Sequence, residues 1–187
     1  SGRKGPPVFQ LVHDVVRLLR KTPVYSATTT PLFRIAPHVF LVTTLGSAAI
    51  VPLLGSTPLT SFPFDFVWFA YVWALGRVAI MLAALDTGSS FEGMGAAREA
   101  TFSTLLEPVL FLATGALALL SRNPTLHGAL TPELHSGAAW VVRGSAVAAL
   151  FIVLQVEAAR MPIDDPTTHL ELTMVHEAMV LDHSGPD

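Results

Sequence analysis

Ionisable residues interrupt or border the long apolar runs of this chain, among them Arg77, Glu107, Glu157 and Arg160. A further concentration closes it, in the stretch MPIDDPTTHLELTMVHEAMVLDHSGPD from Met161 to Asp187. Charged groups in hydrocarbon cost at least about 2.5–3.5 kcal/mol on insertion scales, so they pair with one another or face a cavity. A carboxylate in that setting has two uses: it balances a cation, or it exchanges protons. Arg77 lies eight residues before the end of its apolar run and Glu107 six residues into the next. If the two runs are antiparallel neighbours, these charges meet at one depth. Pro108 follows Glu107, cannot donate to the Thr104 carbonyl, and predicts a kink beside the carboxylate. Glu157 and Arg160 stand where the last apolar run ends, and Arg143 lies inside it; spacing alone also fits side chains that snorkel to the boundary.

The closing acids and histidines do not read as a metal site. His169, Glu171, His176, Glu177, Asp182 and His183 lack a second His at i+4, so the pattern is not H-E-x-x-H. A solvated loop facing a partner subunit suits them better. No G-x-G-x-x-G, phosphate loop or nucleophile elbow occurs, and no cysteine is present to ligate a cluster or form a disulfide. The formal net charge of −3 offers no basic surface for nucleic acid.

The elements that must hold these groups follow from hydropathy. Hydrophobic residues make up 51% and charged residues 13%, and the mean hydropathy is +0.56. The expected fold is an all-α polytopic membrane protein. Residues 6–21 predict an amphipathic interfacial helix, with Val8, Leu11, Val12, Val15, Leu18 and Leu19 at helical spacing. Apolar runs over 35–54, 64–85, 101–120 and 137–156 predict four spans of about 30 Å each. Between them, DTGSSFEGMGAARE reads as a Gly-rich polar loop and SRNPTLHGALTPELHS as an outer loop. The stretch 159–187 is the closing loop. Arg3, Lys4, Arg17, Arg20, Lys21, Arg34, Arg98 and Arg160 fall on one side and only Arg122 on the other, which places the first side in the cytoplasm. The opening SGRKGPP has no Met and no apolar leader, and predicts a start inside a longer protein.

Four stretches, in order, resemble the complex I subunit 1 family: RKGPPVFQLVHDVVRLLRK, GMGAAREATFSTLLEP, EAARMPIDDP and HLELTMVHEAMVLDHSGP. Within it, FEGMGAAREATF and DDPTTHLELTMVHEAMVLDHSG are similar to the membrane-bound group 4 nickel–iron hydrogenase branch, that of formate hydrogenlyase and hydrogenase-4. The quinone-reducing branch tends to D-L-P-E-G-E-x-E-L; here Asp164-Asp165-Pro166-Thr167-Thr168 replaces that run. The family has about eight transmembrane helices, of which this chain would supply the second to the fifth.

The resemblance implies a non-catalytic membrane subunit in the inner (cytoplasmic) membrane. It would hold a hydrogenase large subunit and a small iron–sulfur subunit on the cytoplasmic face and contact antiporter-like subunits within the bilayer. The NiFe centre and the iron–sulfur clusters would belong to those partners, with no cofactor in this chain. Carried over by motif, Glu107, Glu157, Arg160, Asp164, Glu171, Glu177 and Asp182 would form the polar path for protons. Arg77 joins them on burial grounds. Asp164, Asp165, His169, Glu171 and His176 would form the docking and coupling loop. Two other outcomes stay open: a quinone-site subunit of an NADH:quinone oxidoreductase-type complex, and a passive membrane scaffold.

Overall fold

The computed structural model describes residues 9–21, 28–52, 57–131, 136–158 and 176–180. Seven helices occur among them and no strand: α1 (Gln10–Leu19), α2 (Pro31–Ala48), α3 (Asp65–Asp86), α4 (Ser90–Ser121), α5 (Leu126–Leu130), α6 (Gly137–Glu157) and α7 (His176–Met179). Three of them, α3, α4 and α6, are long and apolar enough to cross a membrane. The fourth expected span, 35–54, corresponds to α2, which begins earlier and ends at Ala48. Arg34, His38, Thr43, Thr44 and Ser47 make it more polar than the other three.

Long helices stack as antiparallel neighbours in the order α2, α3, α4, α6. Thr30 caps α2, accepting from the Leu32 N–H, and Pro31 occupies the first turn, where a missing N–H costs nothing. The Thr30 N–H and hydroxyl both donate to the Asp86 carboxylate, at 2.7 and 2.9 Å, and so pin the start of α2 to the end of α3. Small residues let these two helices approach. Gly76, Ala79 and Ala83 of α3 face Phe33, Ala36 and Thr43 of α2. A Cβ on Gly76 would lie 2.5 Å from Thr43 Oγ1, so only glycine fits there. The buried hydroxyls of Thr43 and Ser47 donate back to helix carbonyls at Val39 and Thr43.

One sequence expectation is corrected at α4. The stretch 86–100, predicted as a Gly-rich loop, is helical from Ser90 onward. Only Gly88 needs glycine's left-handed backbone, with φ of +70°; Gly93 and Gly95 are ordinary helical positions. At about 1.5 Å per residue this 32-residue helix is roughly 48 Å long, well beyond the ~30 Å hydrocarbon thickness. Its helical assignment is continuous through Pro108.

The predicted outer loop after α4 holds a helix of its own. Asp65, fully buried at the start of α3, accepts from the Leu126 N–H at 2.6 Å and from the Ser61 hydroxyl at 3.2 Å. Phe64, in left-handed backbone, donates its N–H to the Pro124 carbonyl. Together they clamp α5 onto α3. Ala129 then packs with Ala113, Leu117 and Ala146, joining α4, α5 and α6.

α7 lies at the opposite end of the stack. Met179, nearly fully buried, packs against Ala84 of α3 and Ala96 of α4. The one described element of the closing stretch therefore rests directly on the long helices.

Candidate functional site

Arg77, Glu107 and Glu157 come from α3, α4 and α6 and meet between them. Arg77 Nη2 donates to Glu107 Oε1 at 3.0 Å, and Arg77 Nη1 donates to Glu157 Oε1. Trp73, one turn before Arg77, donates its indole N–H to Glu157 Oε2 at 3.0 Å and stacks on Phe69 at a ring separation of 5.8 Å. The pairing of Arg77 with Glu107 expected from opposed apolar runs is present. Glu157, which spacing alone left at the boundary, points inward instead. Side-chain exposure separates the two carboxylates: Glu157 is 15% exposed and Glu107 41%, against 10% for Arg77.

Two cavities adjoin the cluster, and Trp73, Arg77 and Glu157 line both. The larger, about 430 Å³, is otherwise lined by Phe40, Ile80, Glu99, Met179 and Val180. The smaller, about 230 Å³, includes Glu107, Leu106 and Leu110 of α4 and Leu150 and Val153 of α6. Glu99 precedes Glu107 by eight residues, so about 12 Å of helix separates them. The larger cavity thus extends toward the end where α7 sits. Arg77 Nε is buried and has no hydrogen-bond partner among the described residues, so a polar valence remains at the wall between the cavities.

Sequence reasoning missed Trp73, Glu92 and Glu99. Glu92 is fully buried and Glu99 is 6% exposed. With Ala96 and Ser103 they share one face of α4, and the Ser103 hydroxyl donates to Glu99 Oε1 at 3.4 Å. Their seven-residue spacing was the available signal, since positions i, i+4, i+7 and i+11 line one helical stripe. Reading 86–100 as a loop concealed it.

Among the other predicted residues, Arg160, Asp164, Asp165, His169, Glu171 and Asp182 lie outside the described residues. His176 and Glu177 belong to α7, whose backbone alone is described at those two positions. No group of three His, Asp or Glu side chains among the described residues is placed to hold a metal ion.

Chemically, two carboxylates share one guanidinium. With both ionised the cluster carries one negative charge, and with one protonated it is neutral.

The NADH dehydrogenase family matches residues 1–186. Hydrogenase-4 component C of Escherichia coli (strain K12) is 35% identical over 125 residues, 65% of this chain and 38% of that protein. Formate hydrogenlyase subunit 4 of the same strain is 28% identical, covering 98% of this chain and 59% of its own length. An NADH-quinone oxidoreductase subunit of Methylococcus capsulatus (strain ATCC 33009 / NCIMB 11132 / Bath) is 26% identical over 91% of this chain and 54% of its own. The chain thus spans between 38% and 59% of the length of these relatives. Its all-helical stack and near-complete match place it in the NADH dehydrogenase family, as a multi-pass membrane chain of the complex I subunit 1 type.

Proposed function

We propose that this chain is the membrane anchor and proton-coupling subunit of a hydrogenase complex related to complex I. The observation that carries the reading is the Arg77–Glu107–Glu157 cluster, where α3, α4 and α6 meet beside two cavities. The relatives named for hydrogenase-4 and formate hydrogenlyase support the hydrogenase assignment. Under it, a large subunit with the NiFe centre and a small iron–sulfur subunit sit on the arginine-rich, cytoplasmic face of the inner membrane. Redox change there alters the charge beside the closing stretch, whose acids include Asp164 and Glu171. That change shifts protonation of the carboxylates below by coupled titration. The cluster formed by Arg77, Glu107 and Glu157 exchanges the proton, and antiporter-like subunits use the resulting charge movement. No redox group is needed in this chain.

A second reading is favoured by the larger cavity. Its apolar walls of Phe40, Ile80, Met179 and Val180 around Trp73 and Arg77 would suit a quinone head group, and the Methylococcus relative is a quinone-oxidoreductase component by name.

The test is to tag this chain, purify what accompanies it from the membrane, and drive it with hydrogen in closed vesicles. The first reading expects a large subunit with two C-x-x-C pairs and hydrogen-driven proton movement. Quinone reduction stopped by quinone-site blockers would favour the second. Hydrogen turnover without proton movement would leave a passive scaffold.

A further inference from the structure

The two carboxylates of the cluster are not equivalent, and the difference lies in their hydrogen-bond partners. Glu157 Oε1 accepts from Arg77 and Glu157 Oε2 accepts from the Trp73 indole N–H. Guanidinium and indole are donors only. Each therefore requires a lone pair on the oxygen it meets, and a proton on either Glu157 oxygen would turn a charge-assisted bond into a weaker neutral one. Glu107 is held by Arg77 through Oε1, and its side chain is 41% exposed. A proton can occupy its other oxygen without breaking that contact. The titratable or charged groups facing the cluster and its cavities, among the described residues, are Arg77, Glu99, Glu107 and Glu157. Of the two carboxylates that Arg77 touches, Glu157 is the one with both oxygens on donor-only partners.

We infer that the exchanged proton resides on Glu107, while Trp73 and Arg77 hold Glu157 as the fixed carboxylate, which makes Trp73 a positioning residue. Trp73 is itself oriented by its stacking on Phe69. The indole adds no charge; it selects which of two acids takes the proton. This rests on the reading that the cluster exchanges a proton, and it names the group that does so.

Dicyclohexylcarbodiimide adds to protonated carboxyl groups in apolar surroundings, and peptide mass spectrometry locates the adduct. The assembled complex in its membrane is treated at neutral pH, as wild type and as Trp73→Phe, which keeps an aromatic ring against Phe69 but has no N–H. In the wild type the adduct at Glu107 should exceed that at Glu157 by about tenfold or more, because hydrogen bonds to an ionised group outweigh those to a neutral one. In Trp73→Phe the ratio should fall toward unity as Glu157 Oε2 becomes free to carry the proton. Glu107→Gln should leave Glu157 unlabelled, since it then pairs alone with Arg77. An adduct mainly at Glu157 in the wild type, or a ratio unmoved by Trp73→Phe, would overturn the assignment while leaving proton exchange in place. No adduct on either glutamate in a complex that still turns over hydrogen would instead contradict the exchange.

Discussion

Removing Arg77 would leave Glu107 and Glu157 facing one another without a cation. Breaking a buried charge pair from one side costs about 3–5 kcal/mol, because the remaining charge loses its partner but not its burial. Arg77→Leu is therefore expected to destabilise the purified complex by about 3 kcal/mol, read as a lowered midpoint of thermal unfolding. Glu107→Gln, on a half-exposed side chain, should cost under about 1 kcal/mol in the same assay. Equal effects would mean that the arginine is not the organising charge. The Arg77–Glu107 pair was legible in the sequence because opposed apolar runs fix the depth of any charge within them. The inward turn of Glu157 was not, since linear hydropathy sees only the end of a run. Its direction is set by Trp73 and Arg77, which stand on another helix.

At the scale of the elements, close contact between α2 and α3 fixes where Trp73 and Arg77 point. Gly76 immediately precedes Arg77, and a methyl group there would strike Thr43 Oγ1 at 2.5 Å and crowd Phe40 at 3.3 Å. Gly76→Ala should destabilise by about 1–3 kcal/mol through overpacking. Adding Thr43→Ala removes the nearest atom, so the pair should cost less than the sum of the two single changes in a double-mutant cycle. Strict additivity would show that the two helices are not in contact at this level. The four long helices could be read from apolar runs with ends displaced by a few residues. The start of α4 could not. Gly88, Gly93 and Gly95 together resemble a loop in composition, yet only Gly88 has left-handed backbone. The other two sit in a helix that buries Glu92 and Glu99, and packing against α3 and α7 outweighs their low helical propensity.

For the molecule as a whole, exposed apolar surface is the dominant feature. Val141, Val147, Phe151, Ile152 and Leu154 of α6 and Leu41, Val42 and Leu45 of α2 all face outward. Patches of that kind need lipid or a partner to cover them. The same holds for α1, where Val12 and Val15 are exposed on one side and His13 and Arg17 on another. Because the chain has no cysteine, a single one can be introduced at will. A spin label at Val12→Cys should be relaxed by oxygen dissolved in the bilayer, and one at His13→Cys by a water-soluble reagent. Equal access of both labels to water would remove α1 from the interface. Membrane class and family were legible in composition and in the four motif stretches. The surroundings of the Arg77 cluster were only half legible, because burial of Glu99 and the seating of Met179 arise from contacts distant in sequence.

The proton-to-electron ratio of the intact complex in sealed liposomes tests the proton-coupling claim most directly. With Glu107→Gln, proton translocation should fall by about 10²-fold or more, the usual worth of a positioned acid–base group, while hydrogen turnover stays close to wild type. A ratio equal to that of the wild type would contradict the account.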